Sequence, residues 1–457
     1  MTVSHAQLKA WDQAYLWHPF TQMQDWLAED PVVIARGEGN YLIDVEGKRY
    51  LDGVSSLWCN VHGHNHPEIN AAITAQLSEI AHSTLLGLAN VPSILLAKKL
   101  VELAPPGLSR VFYSDAGATA VEIAIKLAFQ YWQLKGVSQK AKFASLVEAY
   151  HGDTLGAMGV GYSELFHHYY RPVLAEAFRL TPPHCFRFQQ GKNEADALAA
   201  AVQEARTVLS AHRHEIAALI VEPLMQGAAG MWTQPVAYLQ ALREITQEHD
   251  ILLICDEVAT GFGRTGRMFA CEHASVCPDI LCVAKGITGG YLPLAATLTS
   301  EKIFSAFLAP YEEFKTFFHG HTYTGNPLAC AAALASLAVF EQEQVLDKLT
   351  EKIALLTDRL RRDFAPLTHV ADIRQWGMMI GVELMRDRER QIPYAAAEKI
   401  GFRVIQEARR QGVIIRPLGR VIILMPPLSI SMEELTFLLD VVRNAIVSVT
   451  EEPCAAF

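Results

Sequence analysis

Apolar positions along the chain follow two periods. Between about residues 70 and 335, short and nearly continuous apolar runs rich in β-branched residues fall at 111–113, 217–221, 251–255 and 280–284. Runs of that kind suit strands of a sheet covered on both faces. Between them the period is helical: in 120–134, Val121, Ala124, Ile125 and Ala128 stand at i, i+3, i+4 and i+7. Alternating strands and helices predict an α/β domain with a mostly parallel central sheet. Before it, 40–53 reads as a hairpin, two short strands around Glu46-Gly47-Lys48. From about 340 the texture changes. A charged helix is expected over 341–363, strands over 372–384 and 413–424, and a last helix opening on the capping-box pattern Ser431-x-x-Glu434. The expected organisation is a large domain over 70–335, a smaller α+β domain over 336–457, and an N-terminal segment 1–69 packed with the small domain.

Composition narrows the function classes. Of 457 residues 51% are hydrophobic, far from the disordered regime. The mean hydropathy of +0.14 raises a membrane reading, but the richest stretch, 328–340, is broken by Ser336 and is shorter than the roughly 20 residues a span needs. The first 17 residues carry Lys9 and Asp12 and lack the apolar run of a signal peptide. Lys plus Arg total 39 against 49 Asp plus Glu, a net charge of −10. That balance argues against nucleic acid as a general partner. The eight cysteines form no CxxC pair, which fits a reducing, cytoplasmic compartment better than a disulfide scaffold.

Four features carry candidate chemistry. Asp256 ends the apolar run 251–255, at the place where α/β folds bind ligands. Lys285 ends the run 280–284, where a lowered pKa and Schiff-base chemistry are available to it. Gly117 and Ala118 stand where a strand turns into a helix, so free N–H groups there make a phosphate seat. Tyr150-His151-Gly152 places an aromatic ring before a tight turn. Each is bland alone: a solvated strand end, an ordinary turn, a core tyrosine. Together they supply a phosphate anchor, a stacking face, an acid for a pyridine nitrogen and an amine for an aldehyde, the needs of pyridoxal 5'-phosphate.

With these residues assembled, the chain resembles class III, fold-type-I pyridoxal-phosphate aminotransferases nearly end to end. The resemblance is most specific at SDAGATAVE (114–122), EAYHGDT (148–154), VEPLMQGAAGM (221–231), DEVATGFGRTG (256–266), AKGITGG (284–290) and GHTYTGNPLAC (320–330). The stretches 17–23, 55–58, 60–67 and 415–419 resemble the branch that turns 8-amino-7-oxononanoate into 7,8-diaminononanoate in biotin synthesis. The resemblance implies that Lys285 bonds the cofactor and shuttles a proton, that Asp256 pairs with the pyridinium nitrogen, that Gly117 and Ala118 hold the phosphate, and that Tyr150 stacks on the ring and faces substrate. It implies a homodimer with shared active sites, His321 and Thr322 reaching the phosphate of the other subunit. Gly320 joins them at the substrate, and Arg416 holds the remote carboxylate of the keto acid. Three positions depart from the best-known members, which take their amino group from S-adenosylmethionine. Phe20 replaces a tyrosine, Leu57 the first of two pocket tryptophans (Trp58 is the second), and His321 a proline. Some relatives with the GHSYTGN or GHTYTGN form of 320–326 use lysine as donor instead, and the sequence resembles that branch. The departures concern the substrate pocket, and they keep a second reading open, an ω-amino acid aminotransferase of the same class using pyruvate.

Other motifs are weaker. Gly261, Gly263 and Gly266 fit G-x-G-x-x-G, but the apolar run ends five residues earlier and no acid follows at the required distance. His62, His64 and His66 alternate without a Cys or carboxylate at metal spacing, so no metal is expected. His167-His168 and Tyr169-Tyr170 read as surface or interface residues. The loops 162–172 and 305–318 flank the expected pocket.

Overall fold

The computed structural model describes residues 3–451, so Cys454 lies outside the described residues. Its centre is a seven-stranded sheet in the order Leu108–Ser114, Ala295–Ser300, Ile280–Val283, Leu252–Asp256, Ile216–Val221, Lys142–Leu146, Phe178–Leu180. Ala295–Ser300 alone runs against its neighbours. Strand alternation feeds two cores. Leu252, Ile254, Ile280 and Cys282 pack with Ala120, Val121, Ile123 and Ala124 of the helix Gly117–Leu134. Leu253, Cys255, Leu281 and Val283 point to the opposite core, with Leu242 and Ile245 of the helix Val236–Glu248. Both faces are covered, so the strands carry no polar alternation, as their apolar runs indicated.

The two ends of the chain share a sheet. Ile34–Glu38, Tyr41–Asp44 and Arg49–Asp52 form an antiparallel meander, and Arg49–Asp52 pairs in parallel with Val413–Ile414. A second four-stranded sheet joins Val370–Trp376, Met379–Leu384, Val421–Leu424 and Arg416–Leu418.

The single helix expected over 341–363 is two. Pro327–Gln342 starts at Asn326, whose side chain accepts the Ala329 N–H. Its apolar residues run through buried Phe340. The polar run 341–344 then supplies a break at Gln344, which takes a left-handed φ of 50°. A new helix covers Val345–Arg359 and runs on through a wider turn, Leu360–Phe364. Among the described residues no helix is long and apolar enough to cross a membrane.

The last helix, Met432–Glu451, opens on the expected reciprocal cap: Ser431 Oγ accepts the Glu434 N–H at 3.1 Å, and Glu434 Oε2 accepts the Ser431 N–H at 2.9 Å. Ser431→Ala is expected to lower unfolding stability by about 1 kcal/mol, read as an earlier denaturation midpoint, while Ser431→Asp stays near wild type. An unchanged midpoint for the alanine variant would show that the cap contributes nothing.

Candidate active site

At the carboxyl ends of the parallel strands lies a cavity of about 610 Å³. Four of the segments that line it leave the sheet at this edge. Asp256 is the last residue of Leu252–Asp256. Lys285 follows Ile280–Val283 and opens the short turn Lys285–Thr288. The helix Gly117–Leu134 starts here after Leu108–Ser114, so the N–H groups of its first turn face the cavity without intrahelical partners. The loop after Lys142–Leu146 brings Tyr150 to Thr154 to the wall. Strand register puts Asp256 beside Cys282 of the neighbouring strand, which brings acid and lysine to one end of the sheet.

The electrostatics are those of buried charge held in place. Asp256 is almost fully buried; its Oδ2 meets His151 Nδ1 at 2.7 Å and its Oδ1 accepts the Val258 N–H at 3.0 Å. Burial pushes the pKa of Lys285 down, against the pull of Asp256 and Glu222. Its backbone sits at φ 43°, a left-handed conformation that a lysine holds only where its surroundings impose it. Its Nζ lies 5.3 Å from the centre of the Trp58 ring. Glu222 accepts the Tyr150 N–H at 3.1 Å and the Gly227 N–H at 2.9 Å, tying two cavity loops together, and burial pushes its pKa up to about 7. Asp52, buried at the base of a kinked turn, accepts the Ser56 N–H and bonds His64, and so fixes the turn that presents Trp58.

Of the residues singled out from sequence, the structure brings Gly117, Ala118, Tyr150, Asp256, Lys285 and Trp58 to this one cavity. Phe20 and Leu57 are not in its wall. Both are exposed, and Phe20 packs edge-on at 5.8 Å against Phe166, which in turn packs edge-on against Tyr150 at 6.3 Å. Arg416 stands on the strand Arg416–Leu418, half-buried and in electrostatic reach of Tyr150. Gly320, His321 and Thr322 line a second, neighbouring cavity. Within this chain His321 Nδ1 meets Oδ1 of Asp115, a residue of the first cavity's wall, at 2.8 Å beside the helix start. The surface reading of His167 is wrong. It is 1% exposed and lies beside Tyr150 with ring planes 19° apart. The three alternating histidines go separate ways, to Ser336, Asp52 and Glu343. The glycine motif 261–266 forms a packing turn in which buried Arg264 bonds the carbonyls of Asn60 and Pro426.

Sequence reasoning missed His151, Asp153, Glu222 and His167. The first three lie inside quoted motifs, yet the parts of Glu222 and His151 depend on contacts 72 and 105 residues apart, to Tyr150 and Asp256, and Asp153 shows its part only once Tyr150 and His167 are seen on either side of it. No local pattern marks His167 as buried.

The residues present fit pyridoxal phosphate. Gly152, at φ 119°, comes so close to the helix start that a Cβ on it would lie 2.3 Å from the Ala118 Cβ, which keeps the phosphate seat open. Thr154, whose Oγ1 is buried without a hydrogen-bond partner among the described residues, lines the same cavity. A buried acid, Asp256, and a partly buried amine, Lys285, line the same cavity.

The profile of the class-III aminotransferases matches residues 23–446. An adenosylmethionine-8-amino-7-oxononanoate aminotransferase of Geobacter sulfurreducens is 52% identical over 97% of this chain and 98% of its own length. The crystal structure of the enzyme of that name from Methanocaldococcus jannaschii superposes with a TM-score of 0.93 at 47% identity, over 97% of this chain and 99% of its own. An amine transaminase from an uncultivated Pseudomonas species, solved in its PLP-bound form, gives 0.89 at 37% identity, over 95% and 99%.

Gly152→Ala tests the seat. Titration of the apoprotein with pyridoxal phosphate, followed by absorbance, is expected to show affinity reduced about tenfold or more, equivalent to about 1.4 kcal/mol. Undiminished affinity would mean that this approach does not shape the site.

Proposed function

This chain belongs to the class-III aminotransferase family, and from that membership we propose that it moves an amino group to the ketone of 8-amino-7-oxononanoate, giving 7,8-diaminononanoate for biotin synthesis, with S-adenosylmethionine or lysine as donor. The observation that carries the reading is the meeting of Lys285, Asp256, Tyr150 and the helix start of Gly117 and Ala118 around one cavity, in a chain 52% identical to a relative of that name.

When bound, pyridoxal phosphate supplies an aldehyde that takes up amines and a ring that accepts the electron pair released at the adjacent carbon. The chain's own side chains do the rest. The N–H groups of Gly117 and Ala118 bind the phosphate with no charge of their own. Asp256, steadied by His151, holds the proton of the pyridine nitrogen. Lys285, with its pKa lowered by burial, releases a proton readily and so can carry one between carbons at the reacting centre. Tyr150 covers the ring face.

Arg416 supplies the reach for a long substrate. It has no hydrogen bond or ion pair to another described side chain, and it is half-buried, so it is a cation awaiting an anion. A carboxylate pairs with it through two parallel bonds. Donor and keto acid occupy the cavity in turn. His321 and Thr322 complete the phosphate site from a second subunit, so the working unit is a homodimer, placed in the cytoplasm.

Two outcomes test this. In Arg416→Ala, use of 8-amino-7-oxononanoate is expected to fall about 10–100-fold while the donor half-reaction is retained; equal loss in both halves would remove Arg416 from its role. In a half-reaction screen, the visible band of the bound cofactor is expected to bleach with S-adenosylmethionine or lysine. Bleaching by β-alanine-type donors only would overturn the biotin reading in favour of an ω-amino acid aminotransferase.

A further inference from the structure

His167 has no part in the function proposed above, and its burial needs an explanation. It sits at the end of the short helix Glu164–His167, 1% exposed. Its Nδ1 accepts the Ser163 backbone N–H at 3.1 Å. An acceptor at Nδ1 leaves the ring proton on Nε2. That Nε2–H is buried and has no hydrogen-bond partner among the described residues, which costs free energy unless an acceptor is at hand. The acceptor it faces is Asp153 Oδ1 at 3.8 Å, just beyond a hydrogen bond. Asp153 is the next link: its other oxygen accepts the Tyr150 hydroxyl at 2.7 Å, and it lines the cavity. The His167 and Tyr150 rings lie nearly parallel, 6.2 Å apart, while Phe166 closes the edge of Tyr150. Asp153 thus stands between a phenol and an imidazole, and both rings are braced by the same helix.

We propose that His167 is a positioning residue: its Nε2–H holds the Asp153 carboxylate, and through that carboxylate fixes the Tyr150 ring against which the cofactor lies. The inference rests on the proposed function in one respect, that Tyr150 covers the cofactor. It assigns to the helix Glu164–His167 control of a wall of the pocket that it does not itself line.

Two replacements separate the hydrogen bond from mere filling of space. His167→Phe keeps a flat ring of similar volume and removes the donor. His167→Gln keeps an N–H donor at similar reach and removes the ring. Pyridoxal phosphate is titrated into each apoprotein, and the dissociation constant read from absorbance. His167→Phe is expected to weaken binding about fivefold or more, and His167→Gln to stay within about twofold of wild type. In an Asp153→Asn background, His167→Phe is expected to add nothing, because the two act on Tyr150 through one path. The inference is overturned if Phe is tolerated while Gln is damaging, or if the His167 and Asp153 effects simply multiply. Should the Phe variant fail to fold, His167→Asn, polar but too short to reach Asp153, carries the same two expectations. A wild-type apoprotein that takes up no pyridoxal phosphate would sink the proposed function itself, which is a different result from normal uptake with the wrong order among the variants.

Discussion

Holding the partly buried Lys285 amine at the cavity wall, in the field of Asp256 and Glu222, is the constraint around which the rest of the molecule is arranged. Charge in a low-dielectric interior is costly unless it is paired or neutralised. The chain meets that cost with parallel strands, because only there do two neighbouring strands deliver their last residues to the same edge. Adjacent register brings Asp256 level with Cys282, a few residues short of Lys285. His151 and the Val258 N–H then satisfy the acid, while the amine is left with a lowered pKa over the face of Trp58. The left-handed backbone at Lys285 and Trp58 marks where the fold holds strained geometry to keep the two in place.

The same arrangement explains how an acidic protein can hold anionic ligands. A net charge of −10 describes the surface as a whole, while the cavity presents uncharged N–H groups at a helix start, and half-buried Arg416, in electrostatic reach of Tyr150, has no carboxylate partner among the described residues. Local orientation outweighs the global sign at contact distance, because exposed charges farther than about 8–10 Å are screened.

Much of this was legible along the chain, for identifiable reasons. Strands buried on both faces read as unbroken apolar runs, so 217–221, 251–255 and 280–284 announced the sheet, and the residues ending the last two runs announced the acid and the amine. The Ser431 cap was legible because its partners are three residues apart. What stayed hidden depends on contacts across the sequence. The break at Gln344 was masked because its polar neighbours suit an exposed helix as well as a turn. The burial of His167 was masked because a histidine beside three polar or aromatic neighbours resembles a surface patch until Tyr150 packs against it. Phe20, Leu57 and the 320–322 loop carried motif signals, yet in this chain they lie at the rim or in the second cavity rather than in the wall of the first.

The central claim is that Lys285 is the amine that bonds the cofactor. Protein loaded with pyridoxal phosphate would be reduced with borohydride, digested, and its modified peptide sequenced by mass spectrometry. The predicted result is a single modified lysine at position 285, with the modification absent from Lys285→Ala. A modification at another lysine that survives in Lys285→Ala together with transamination would contradict the account.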